Sequence, residues 1–185
     1  KSYLNSLVLS INPFGFRTYF RGSDKGDVKI LTSKGWAKVF RTDISKGVEY
    51  IDQFKIIVGR FVPSNGEMSV KPGEGYRVLT EPQILSPAEI NTETYIDTAV
   101  FSTLEEATNY KKYLLTKFAR FLLRQGITSV NVTKECFAFV PIQDFTNRSD
   151  IDWNKSIHEI DNQLYIKYKL IDGEIAFVEK MIKQI

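Results

Sequence analysis

The side chains best equipped for covalent or metal chemistry are scarce in this sequence, and their spacing argues against a catalytic centre. The single histidine, His158, sits in a polar segment leading into a helical stretch. It has no cysteine nearby and no second histidine to complete a zinc or histidine-based site. We read it as a surface histidine. The only cysteine, Cys136, lies in an alternating stretch without a basic activator beside it, which suits a small core residue better than a nucleophile. A lone cysteine also excludes an internal disulfide and fits a reducing cytoplasm. Neither a P-loop nor GxGxxG occurs, and the glycines of KPGEGY (71–76) read as turn residues. One pattern points to metal chemistry. Asp27-Val28-Lys29, with Asp24 upstream, has the acid-x-Lys spacing of a metal-dependent nuclease, a site that also needs a second carboxylate on a neighbouring strand.

The elements that must position any functional group change character near residue 102. Before it, VKIL (28–31), WAKVF (36–40), FKIIVGRFV (54–62), YRVLT (76–80) and ETYIDTAVF (93–101) are β-branched or aromatic and predict strands. Turn formers such as SDKGD, TSKG, PSNGE and KPGEG separate them. From Ser102 to Gly126 the period becomes helical. Ser102 with Glu105, or Thr103 with Glu106, supplies a capping box, and Gly126 a stop. Leu104, Ala107, Leu114, Leu115, Phe118, Phe121 and Leu122 form an apolar stripe, with Lys117, Arg120 and Arg124 on the opposite, solvated face. SVNVTKECFAFVPI predicts one or two further strands within 127–145. The tail, 155–185, predicts two short helices, around 164–170 and 173–185. Asp172 is placed to cap the second, and Ile175, Val178, Met181, Ile182 and Ile185 form its buried face. The expected class is α+β: a twisted mixed sheet from the N-terminal strands, one long amphipathic helix and a short helical tail, in one domain spanning 1–185.

A hydrophobic share of 43% supports a real core, and no apolar run approaches the roughly 18 residues of a membrane span. The opening residues read as the interior of a longer protein rather than as a signal peptide. Charge is segregated. Residues 1–80 carry a balance of +6, 81–110 of −6, 111–134 of +6 and 135–185 of −3, a pattern that suggests one cationic face.

Several segments together carry a family resemblance. They are NPFGFRTYF near the start, the ETY strand, the helix with KYLLTKFARFLL, the FAFVPIQDF segment and the closing LYIKYKL…EIAFVEKMIK. In that order they resemble the C-terminal target recognition domains of adenine-specific DNA methyltransferases of bacterial restriction–modification systems, including single-chain enzymes that also cut. The likeness is looser between Thr42 and Gly75. The family's Tyr-Gly-Leu turn is here Tyr168-Lys169-Leu170. Asn12-Pro13-Phe14 is similar to the Asn-Pro-Pro-aromatic loop of amino-methyltransferases but lacks the second proline, and we read it as a turn.

The resemblance implies double-stranded DNA as partner and a catalytic methyltransferase domain elsewhere in the same chain. That domain would use S-adenosylmethionine, with Mg2+ as well if the chain also cleaves. It implies a bacterial cytoplasmic location, and a specificity domain that binds no cofactor and catalyses nothing itself. Base edges and phosphates call for Arg, Lys, Asn and Ser on projecting segments. The expected DNA contacts are Arg17, Arg21 and Lys25 in RTYFRGSDKG, Ser33 and Lys34 in LTSKG, Arg60, and Ser129, Asn131 and Lys134 in TSVNVTK. Two other readings stay open: a small nuclease built on Asp24, Asp27 and Lys29, and a protein-interaction domain that docks through its tail helices.

Overall fold

Two small sheets, rather than one, carry the strands. The computed structural model describes residues 2–62 and 75–185, so the turns read at PSNGE and within KPGEG lie outside the described residues, apart from Gly75. Strands β1 (Val28–Thr32) and β2 (Gly35–Val39) form an antiparallel hairpin, and β5 (Glu89–Asn91) adds parallel to β1. Strand β3 (Phe54–Gly59) lies between β4 (Gln83–Leu85) and β6 (Tyr95–Phe101), antiparallel to both. The α+β class holds, with the strands divided between two sheets instead of one because the chain crosses from one to the other on either side of β5; β4 and β5 are three-residue strands that the alternation does not mark. Leu31, Ile57 and Leu85 cluster in the space where the sheets meet.

Residues 76–80 form no strand. Val78 stands at φ 74°, and the Leu79 N–H donates to Arg77 O, so the backbone turns where a strand would continue. The expected strands after the long helix are absent too. Residue 131 makes one bridge to Phe61, and Lys134–Phe137 coils into a 3-10 turn. Cys136 is buried there, and its sulfur accepts from Thr133 N. Gly126 lies against this turn so closely that an added Cβ would meet Cys136 O at 2.7 Å.

The long helix is broken into α1 (Leu104–Leu115) and α2 (Lys117–Gly126). Thr103 caps α1 at the second of the two positions expected: its hydroxyl accepts from Glu106 N and donates to the Glu106 carboxylate, without the reciprocal backbone bond of a full capping box. At the break, Thr116 is extended, donates its hydroxyl to Tyr113 O at 2.6 Å and accepts from Ala119 N. It is a second N-cap inside what reads as one helix. The tail supplies the other capping group: the Asp161 carboxylate accepts from the N–H groups of Lys117 and Phe118, each at 2.9 Å.

That tail consists of α3 (Ile157–Lys167), started by a Ser156–Glu159 capping box, and α4 (Asp172–Met181). Helix α3 begins earlier than its apolar residues suggest because the box sets its start. Asp172 is not the cap of α4. It lies in the first turn, and Glu174 accepts from Ile171 N instead. Val178 and Ile182 are buried, Ile175 and Met181 partly so, while Ile185 is exposed.

The tail packs on the face of α2 expected to be solvated. Lys117 pairs with Glu179 at 2.6 Å, and Arg124 stacks over Tyr76 at 4.6 Å. Arg120 is fully buried. Its guanidinium donates to Leu115 O at the helix break and to Lys183 O in the tail, the latter at 2.6 Å. The apolar stripe thus tells only half the story, because both faces of α2 are covered. On the outside of the tail, Ile171 and Phe177 remain exposed beside a groove shared with Phe121 and Leu122.

Candidate nucleic-acid interface

The sheet topology brings several loops to one end of the molecule. Strands β1 and β5 run parallel and finish side by side, and the Thr92 N–H donates to Leu31 O. Strand β3 finishes opposite Tyr95, where β6 begins, so the linker 92–94 joins the ends of both sheets. The β1–β2 turn with Ser33 and Lys34 is at this end, because Thr32 pairs with Gly35 across it. Residues 60–62 continue β3 and pair with 130–132, through Val62 N to Val130 O and Val132 N to Arg60 O.

Glu93, in the linker, organises the first loop. Its backbone N–H donates to Phe16 O, and its carboxylate accepts from Arg17 Nη1 at 3.0 Å and from Thr18 N at 3.3 Å. Burial alone would raise this carboxyl. The Arg17 hydrogen bond, the Thr18 N–H and the nearby Arg60 charge outweigh it and hold Glu93 below its ordinary range. Arg21 Nη1 donates to Thr18 O and to Ser33 Oγ at 3.1 Å, and Ser33 Oγ donates to Thr18 O. The loop bearing Arg17 and Arg21 is therefore tied both to the linker and to the β1–β2 turn.

On the other side of Glu93, Arg60 and Lys134 line a cavity of about 240 Å3 that Glu93 also lines. Among the described residues, no hydrogen bond or ion pair engages the side chains of Lys34, Arg60 or Lys134. Ser129 Oγ accepts from Asn131 N, which shapes the loop before the 130–132 pairing.

Of the expected contact residues, Arg17, Arg21, Ser33 and Lys34 form one connected group, and Arg60, Ser129, Asn131 and Lys134 another. Glu93 stands between them. Lys25 does not join them. Its loop doubles back over β2, where Ser23 pairs with Lys38, and Gly26 lies against Val39 at the opposite end of the hairpin from the turn. A Cβ at Gly26 would meet Val39 O at 2.4 Å, so only glycine allows that approach. Arg17 serves as a structural anchor through Glu93, yet its side chain stays 62% exposed.

The acid-x-Lys residues are not assembled as a metal site. Asp27 Oδ1 accepts from Arg41 N at 2.7 Å, and Lys29 pairs with Glu89. Among the described residues, no cluster of three or more His, Cys, Asp or Glu has a geometry that could hold a metal ion. His158 is exposed on α3, within 3.4 Å of Asn162.

Sequence reasoning missed Glu93, the organising acid, because its role depends on strands that meet only in three dimensions. It also missed the exposed aromatics beside these loops, Tyr19 (77%) and Trp36 (52%). The helical segments are no guide to a membrane: among the described residues, no helix is long and apolar enough to cross one. Compared with protein-family models, with curated proteins and with solved structures, the chain gives no match.

Proposed function

We propose that this chain recognises double-stranded DNA as the target recognition domain of a bacterial adenine-N6 DNA methyltransferase, with the methyl-transferring domain and its S-adenosylmethionine elsewhere in the same protein. The observation that carries the reading is the gathering of Arg17, Arg21, Lys34, Arg60 and Lys134, with Ser33, Ser129 and Asn131, on separate loops at one end of two sheets. Cations supply phosphate contacts and the short polar side chains supply base-edge contacts. The family resemblance adds the methyltransferase context. The Lys169 turn is compatible with it, because Lys169 takes φ 57° where that family places glycine. The chain itself is proposed to transfer no methyl group, and methylation of DNA by it alone would contradict this.

The test is selection of duplexes from a randomised library, followed by affinity measured against salt. Phosphate neutralisation makes binding weaken steeply as salt rises. Lys34→Ala is expected to weaken all duplexes alike and flatten the salt slope by about one unit. Asn131→Ala is expected to lose about 1–3 kcal/mol on the selected site and little on others. Affinity that ignores salt, with no sequence enriched, would overturn the reading.

A further inference from the structure

The cations of the candidate interface are held in two different ways. Lys34, Arg60 and Lys134 have side chains that no hydrogen bond or ion pair engages among the described residues. Arg17 is fixed. Residues 17–20 form a turn closed by Phe20 N to Arg17 O at 2.9 Å. The rings of Phe16 and Phe20, 4.5 Å apart, pack from either side of that turn against the core of the sheet formed by β1, β2 and β5. Glu93 grips the turn with both carboxylate oxygens. Oε1 accepts from the Thr18 N–H at 3.3 Å and from its hydroxyl at 3.4 Å, and Oε2 accepts from Arg17 Nη1 at 3.0 Å. Because Thr18 occupies Oε1, the ion pair is single, and Nε and Nη2 of Arg17 make no hydrogen bond among the described residues. Arg41 is the contrast: it gives both Nη1 and Nη2 to Asp52, so its fork is engaged. The Glu93 side chain is only 12% exposed against 62% for Arg17, so the acid sits inside and the fork outside.

We propose that Arg17 reads a guanine of the duplex through O6 and N7 in the major groove, and that Glu93 is the positioning residue that orients it. This rests on the DNA-binding reading above. A phosphate needs only a cation near it, whereas a base edge needs donors at fixed places. A guanidinium already held by a carboxylate gives up less conformational freedom on binding than an unrestrained side chain does. Guanine presents two acceptors side by side, while adenine presents one acceptor beside an amino donor. A fork of donors alone therefore matches guanine and rejects adenine. The unrestrained Lys34, Arg60 and Lys134 are left to the phosphates.

The experiment starts from the duplex selected with the unaltered chain. Each guanine is replaced in turn by adenine, by 7-deazaguanine, which lacks the N7 acceptor, and by deoxyinosine, which keeps both N7 and O6. At one position the first two are expected to weaken binding roughly tenfold and the third little, about the worth of one good base contact. Arg17→Met keeps the stem without the fork and is expected to bind guanine and adenine alike there, with the salt slope unchanged. Arg17→Lys keeps the charge without the fork and is expected to lose most of the discrimination. Glu93→Gln removes a negative charge from a surface that meets DNA and loosens the guanidinium. It is expected to raise affinity for all duplexes while lowering the preference for guanine, two opposite changes that a merely structural role would not produce. Melting curves check that the variants fold. If a duplex is selected but no guanine in it responds to 7-deazaguanine, the proposal is overturned and DNA binding stands. If Arg17→Met weakens all duplexes alike and flattens the salt slope, Arg17 is a phosphate contact and the proposal is overturned. Full discrimination in a folded Glu93→Gln variant overturns the pairing on which the proposal stands. If no duplex is selected, both readings fall.

Discussion

Asp97 lies wholly inside the molecule on β6 and joins one sheet to the other, accepting from Asn91 Nδ2 of β5 at 2.9 Å. The Oδ1 atoms of both residues are buried and unpartnered. Burial lifts the Asp97 carboxyl to about 7, against the pull of the Asn91 hydrogen bond and of the Lys55 charge. A protonated Asp97 has a hydrogen to donate, and Asn91 Oδ1 is an unused acceptor in the same pair. Because the folded-state pKa is raised above the ordinary 3.8, the stability from this residue is fully present below about pH 4. It declines as pH rises and is lost above about 7. The loss is on the order of 4 kcal/mol at 1.36 kcal/mol per pKa unit. Asp161, lifted by burial to about 6, adds to the lower part of the same slope. Denaturant titrations of the unaltered chain and of Asp97→Asn at pH 4.5 and 7.5 separate the two. The gap between the proteins should shift in favour of Asp97→Asn at the higher pH. A gap that is equal at both pH values would show Asp97 ionised throughout.

At the scale of elements, the break at Thr116 and the turn at Lys169 are local decisions with measurable energies. Thr116→Ala removes both hydroxyl bonds at the start of α2 and is expected to cost about 1–2 kcal/mol. Lys169→Gly is expected to stabilise by about 1 kcal/mol, since Lys169 holds φ 57° just after α3. A lower melting temperature for Lys169→Gly would mean that the lysine side chain contributes more than its backbone strain removes. The same elements show what is readable in the residue order. Strands β1, β2, β3 and β6 and the start of α1 follow from alternation and a capping residue, which are local. Strands β4 and β5 are too short for alternation to register. Thr116 escapes notice because the apolar stripe runs through it without interruption, and Asp161, which accepts from the next N–H at Lys117, is 44 positions further on. Nothing in the residue order marks Lys55 as buried, yet it is, with its ammonium donating to the carbonyls of Tyr50, Ile51 and Gln53, a cage that only the folded loop creates. The candidate interface was legible as residue types on turns. What the residue order does not carry is which turns meet, so Lys25 groups by type with residues it does not join, and Glu93 does not stand out.

At the scale of the whole molecule, one end carries the candidate interface and the tail closes over α2 elsewhere. The buried side chain of Arg120 ties the two ends of that arrangement together, with the helix break on one side and Lys183 O on the other. Burial lowers its pKa to about 10, so it remains a cation at neutral pH. Val178→Asp, which places a carboxylate in the tail's buried face, is expected to cost several kcal/mol and to lower the melting temperature clearly. An unchanged melt would mean that the tail does not hold α2 in solution. The position of Lys183 also bears on how the protein emerges during synthesis. Arg120 is translated more than sixty residues before the carbonyl that receives its shortest hydrogen bond. Until residues 161 and 183 have left the ribosome, α2 lacks in turn its Asp161 cap and the cover for its guanidinium, and a nascent chain halted before the tail should stay open to proteases. Completion of this core therefore waits for residues translated long after the helix that they cover.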